Sequence, residues 1–136
     1  MITDEVIKLA SNTKFYGLKN NFTHKSFFKN QTCGDTIKIE IISKNKSFKI
    51  MRYETQSCIF CQASASILAS SIKSFNINHL KKEIESLDNY FHDNHLYLPK
   101  KFNIFKKILK KDNLSRYDCI KLPFNALYKA LKIKIW

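Results

Sequence analysis

The sequence predicts an α+β fold, a small antiparallel sheet covered by about four to five helices. Three observations lead there. Ile37, Ile39 and Ile41 alternate with Lys38 and Glu40, which is the period of a half-buried strand. Beyond Tyr53 the apolar spacing changes to that of a helix. The strand-like segments precede the main helix-like ones, an order that favours a small sheet covered by helices.

Taken in order, Thr3 to Ala10 suits a short helix, and Gly17 in NTKFYGLKN marks a turn. Asn21 to Phe28, with its Thr and Phe content, reads as a strand. The Ile37 to Ile41 strand follows, and Lys44 to Lys46 (KNK) supplies a turn into another strand through Phe48, Ile50 and Tyr53. Gln62 to Ile72 is rich in Ala and Ser, with Ile67, Leu68 and Ile72 at helical spacing, and small side chains let a helix lie close to a sheet. Leu80, Ile84, Leu87 and Phe91 mark another helix. In KKFNIFKKILKK, Phe102, Phe105, Ile108 and Leu109 repeat at helical spacing and leave the lysines on a solvated face. Pro123 opens the last helix, with Leu127, Ala130 and Leu131, because proline fits a helix's first turn.

Residues 1–136 read as one domain: 44% hydrophobic content supports one packed core, and the length is short for two. The N-terminal MITDEVIKLASN carries Asp4 and Glu5 and has neither the apolar core of a secretory signal nor the character of a transit peptide. Ile59 to Ile72, broken by Gln62 and several serines, falls short of the roughly 20 residues of a membrane span. A soluble, cytoplasmic protein with no membrane partner is expected. In a reducing compartment its four cysteines suit free thiols, metal ligands or sulfur chemistry better than a disulfide framework. The net charge of +13 invites an anionic partner such as nucleic acid. Yet only Arg52 and Arg116 are arginines and the lysines are scattered, whereas a nucleic-acid surface concentrates its charge and uses the bidentate guanidinium. A basic nucleic-acid-binding module with structural, zinc-type cysteines is therefore the lesser reading.

Cys33 and Asp35 stand two apart at the mouth of a strand, so extended backbone points both side chains to one side. Gly34 between them can take angles closed to other residues, so the chain can bend sharply or approach an ion. Cys58 ends the loop after the Phe48 to Tyr53 strand, Cys61 lies in the first turn of the Ala/Ser helix, and Cys119 precedes Pro123. Helix N-termini carry partial positive charge, which favours thiolate at all three.

Three segments, TCGDTIKIEI, SCIFCQASASILASSI and SRYDCIKLPFNALYKALK, resemble in this order the cysteine-bearing motifs of the U-type iron-sulfur cluster assembly scaffolds, the family of the NifU N-terminal domain. The resemblance extends to NTKFYGLKN and so covers nearly the whole chain. It implies a three-stranded antiparallel sheet packed by helices, with the ligands grouped at one end. It further implies Cys33, Asp35, Cys58 and Cys119 as ligands of a transient [2Fe-2S] cluster or of zinc. Cys119 would also accept persulfide sulfur from a cysteine desulfurase, and iron-sulfur acceptor proteins would receive the cargo. Such a protein is a scaffold or carrier, not an enzyme turning over a small substrate.

The chain departs from the family pattern at Ser57, where glycine is usual, at Cys61, where serine is usual, and at Asp118, where the best-known branch has histidine beside the third cysteine. The long interval from Cys58 to Cys119 resembles the branch with an inserted stretch, whose members often hold zinc and pass sulfur. Three thiolates and a carboxylate carry more negative charge than zinc neutralises, so a nearby cation would help, and Arg116 stands three residues before Cys119. The carboxylate is the harder, more exchangeable ligand, which suits a site that releases its cargo. A closed zinc site that only stabilises the fold is the rival. Cys61 reads as a small buried thiol, with C-x-x-C redox activity as the alternative. His92 and His95 have metal-like spacing but read as solvent-exposed loop residues.

Overall fold

In the computed structural model, residues 2–132 are described. Helix α1 (Asp4–Ala10) starts at Thr3, whose hydroxyl accepts the Val6 amide at 3.2 Å, and it buries Val6. Strands β1 (His24–Lys29), β2 (Thr36–Lys44) and β3 (Ser47–Gln56) form one antiparallel sheet in that order. Asn45 and Lys46 connect β2 to β3 with φ of +54° and +65°. Two successive left-handed residues make the tight hairpin turn whose twist matches the strands. Ile37, Ile39, Ile41, Met51 and Tyr53 put the inner face of the sheet into the core, as their alternation requires.

Against that face lie α2 (Ile59–Ser71) and α4 (Tyr117–Ala130), while α3 (Leu80–His92) buries a single stripe of Leu80, Ile84, Leu87 and Phe91. Helix α2 contacts α1, α4 and β3 and is buried on nearly every side. Its Ala63, Ser64 and Ala65 allow that close approach. No helix among the described residues is long and apolar enough to cross a membrane.

Three details depart from local sequence signals. Helix α4 begins at Tyr117, so Pro123 lies in its interior. A proline there cannot donate to the Cys119 carbonyl. Burial of Ile120, Phe124 and Leu127 holds the helix together across it, and the Ser64 hydroxyl donates to the Ile120 carbonyl at 2.7 Å. Lys100–Lys107 is a 3-10 helix. Phe102, Phe105 and Ile108 are three apart, so on a three-residue turn they stack along one buried side, and Lys100, Lys101, Lys106 and Lys107 stay exposed. Glu40 alternates onto the outer face yet is buried, because its carboxylate accepts the Lys19 and Asn20 amides at 2.8 and 3.2 Å. Glu54 accepts the Leu18 amide and Arg52 donates to the Gly17 carbonyl. These polar contacts fasten the segment around Gly17 (φ +103°) to the sheet, where Tyr16 bridges to Tyr53.

Candidate metal centre

The centre is assembled from three separate parts of the chain. The loop between β1 and β2 is closed on itself: the Asn30 side-chain oxygen accepts the Thr32 amide at 2.8 Å, the Gly34 amide donates to the Asn30 carbonyl at 2.8 Å, and the Asn30 amide donates to the Asp35 carbonyl at 2.9 Å. Gly34 makes this possible with φ of +79°; a Cβ there would meet nothing within 4 Å. Glycine is required by the left-handed bend and not by crowding. Asn30, absent from the sequence reading, is the residue that ties the loop, and its signal was an Asn placed to make a side-chain turn just ahead of a glycine.

Cys58 caps α2 with extended backbone, φ −69° and ψ 165°, and no side-chain capping bond. Its amide instead donates to Asp35 Oδ2 at 3.2 Å. An Asp carboxylate thereby satisfies a free amide at a helix start, where the macrodipole also favours negative charge. The carboxylate's other oxygen remains available to an ion. Cys119 arrives from the first turn of α4.

Single donor atoms of Cys33, Asp35 and Cys119 lie within 4.8 Å of one another, with Cys33 exposed and Cys119 9% exposed. Cys58 stands outside this trio, and its backbone amide joins it through Asp35 Oδ2. The structure thus brings three of the four expected donors into one group and places the fourth against it.

The profile of the NifU-like N terminal domain matches residues 1–101. The chain belongs to this family. The match includes Cys33, Asp35 and Cys58 and stops before Cys119. Over 97% of this chain and 93% of its own length, the "Iron-sulfur cluster assembly scaffold protein IscU" of Thermotoga maritima is 25% identical. Two crystal structures share the fold. One is the N-terminal part of a nitrogen-fixing NifU-like protein from Brucella abortus, with TM-score 0.81 and 16% identity over 96% of this chain and 92% of that one. The other is a putative iron-sulfur cluster assembly scaffold protein for the SUF system from Fervidobacterium islandicum, with TM-score 0.80 and 19% identity over 96% of each chain.

In this NifU-like chain the helix starts do not favour thiolate throughout. Burial pushes the Cys61 thiol up to about 12, against the smaller opposite effect of the Ser57 and Thr55 hydroxyls. Cys119 is also raised, first by burial and then by Cys58, Asp35 and Cys33 beside it. Desolvation and neighbouring acidic groups outweigh the helix dipole where no cation is present. Cys61 is fully buried, with its sulfur 3.9 Å from Thr55 Oγ1. Arg116 is exposed, and its guanidinium carbon lies 5.7 Å from the centre of the Phe60 ring, at the start of α2. His92 and His95 are exposed. The His92 ring packs 5.2 Å from that of Tyr117, and neither histidine is among the grouped donors.

Proposed function

We propose that this NifU-like protein is a scaffold or sulfur carrier of iron-sulfur cluster assembly, not an enzyme. Cys33, Asp35, Cys58 and Cys119 hold its cargo, a transient [2Fe-2S] cluster or zinc. The observation that carries this reading is the convergence of Cys33, Asp35 and Cys119 from distant parts of the chain to within 4.8 Å. The scaffold name carried by the Thermotoga maritima relative agrees with it.

The donor set fits such a cargo. Thiolates and a carboxylate around a tetrahedral ion, with metal–sulfur distances of about 2.3 Å, stand roughly 4 Å apart, so the trio needs only a small contraction. A bound cation would reverse the electrostatic balance that keeps Cys119 protonated. Asp35 already accepts the Cys58 amide through one oxygen, so its carboxylate is shared between the helix cap and the ion. A ligand held that way is easier to release than a thiolate.

Cys119 is the proposed acceptor of persulfide sulfur from a cysteine desulfurase, and the exposed Cys33 beside it marks the side from which that donor approaches. Iron-sulfur acceptor proteins then take the cargo, and the proposed compartment is the cytoplasm. The test is anaerobic purification with metal and acid-labile sulfide analysis, followed by mass spectrometry after exposure to a cysteine desulfurase and cysteine. Metal or sulfide bound per chain, and added sulfur on Cys119, are the expected results. Absence of metal and sulfide from the wild type, with no sulfur loaded on any of the four cysteines, overturns the proposal.

A further inference from the structure

Cys119 stands one turn before Pro123, which cannot donate to its carbonyl. The first turn of α4 therefore lacks one of its rungs, and side chains on two sides hold it. On the α2 side the Ser64 hydroxyl donates to the Ile120 carbonyl at 2.7 Å. On the α3 side lies a group that the metal reading leaves unused: Asp88, Phe91 and His92 from α3 against Tyr117 and Lys121 from α4.

Lys121 is only 5% exposed, and its ammonium nitrogen lies 3.4 Å from Asp88 Oδ1 and 5.6 Å from the centre of the Tyr117 ring. The Tyr117 ring stacks on that of Phe91 at 5.9 Å and makes an edge contact with His92 at 5.2 Å. A buried ammonium that loses its partner costs far more than an exposed one, so this pair ties α4 to α3 at one place. Four residues apart, Tyr117 and Lys121 share one face of α4, and Cys119, two residues from each, projects from the opposite face. There its sulfur lies within 4.8 Å of the donors of Cys33 and Asp35. What fixes the back of the turn also fixes where the sulfur sits at the front.

We propose that the Asp88–Lys121 pair, seated on the Tyr117 ring, is a clamp that holds the Cys119 sulfur at ligand distance from Cys33 and Asp35. This rests on the metal-site reading above. Asp88 and Lys121 are positioning residues: they act through the first turn of α4, and Asp88 is not among the grouped donors. A ligand delivered by a turn with a missing rung depends on such support, and removing the groups behind a metal ligand lowers affinity by about 10–100-fold.

The test uses the full chain as wild type, Lys121→Met and the double variant Asp88→Asn/Lys121→Met, which removes both charges and leaves none buried and unpaired. Glu40→Ala is the comparison, because it weakens the fold from the outer face of the sheet. Each protein is loaded anaerobically with Co2+ and followed by its thiolate-to-cobalt absorption and by metal loss to excess chelator, below every variant's melting transition. The two clamp variants are expected to show a weaker thiolate band and to lose metal about tenfold faster than wild type, while Glu40→Ala keeps the wild-type band and rate. In a second arm the metal-free proteins react with iodoacetamide and each cysteine is mapped by mass spectrometry. The clamp variants should alkylate Cys119 several-fold faster, with Cys33 unchanged. Clamp variants that match Glu40→Ala in both arms overturn the proposal, as does an equal rise at Cys33 and Cys119. If the wild type takes up no cobalt, the metal-site reading fails, and the alkylation arm still decides the clamp.

Discussion

Gly34 and the cysteines around it each do something different, and substitutions separate them. Gly34→Ala meets no steric obstacle but must hold φ of +79°, a strain of about 1 kcal/mol for a side chain. We expect a melting temperature lower by a few degrees and weaker metal retention, read by thermal melts with and without chelator. Cys33→Ser, Cys58→Ser and Cys119→Ser should each lose most of the bound metal and with it the metal-dependent stabilisation. Cys61→Ser should keep both, because its sulfur is buried beside Thr55 Oγ1. Asp35→Ala keeps three thiolates, so metal should still bind and exchange faster. Metal stoichiometry of the five variants checks this set, and a loss in Cys61→Ser equal to that in Cys119→Ser would show that the ligands are wrongly chosen.

Elements here are joined by buried polar groups as well as by apolar faces. Glu40 on β2 holds the Lys19 and Asn20 amides, and a carboxylate bond of this kind is worth about 1.5–3 kcal/mol. Glu40→Ala should therefore destabilise by roughly 2 kcal/mol, while Glu40→Gln, which keeps an acceptor oxygen, should lose less; urea unfolding distinguishes them. Ser64 joins α2 to α4 at the Ile120 carbonyl, one residue after the carbonyl that Pro123 leaves without its helical donor. Ser64→Ala should cost about 1 kcal/mol. Tighter exchange protection at the start of α4 in that variant would contradict the joining role.

For the molecule as a whole, pH acts in opposite directions on the fold and on metal loading. The Cys61 thiol is raised from 9.0 to about 12, so folding favours its protonated form. That contribution to stability is complete below about pH 9 and is lost as pH rises towards 12. The chelated protein should accordingly melt at lower temperature at pH 10.5 than at pH 8. Metal binding needs thiolates and releases protons, so the metal-dependent rise in melting temperature should grow from about pH 6 to pH 8. Melts of chelated and metal-loaded protein across this range check both signs. The charge of +13 makes a separate statement: contact with nucleic acid should be non-specific and fall steeply with salt, as filter binding at increasing ionic strength would show.

Much of this architecture is written locally. The Ile37, Ile39 and Ile41 alternation, the Asn45 turn, the α3 stripe and the glycine between Cys33 and Asp35 depend on neighbours in the chain, so the sequence by itself determined them. It also determined the family, through motifs whose order survives at low identity. Other features depend on what folds against them. Whether Glu40 is solvated or buried was decided by the segment around Gly17, and the start of α4 at Tyr117 was decided by packing that outweighs the proline signal. The approach of Cys119 to Cys33 and Asp35, with Cys58 beside the trio, follows from docking α2 and α4 on one sheet face. The protonation of Cys61 and Cys119 was likewise decided there, because desolvation is a property of the packed environment and a helix start alone does not reveal it.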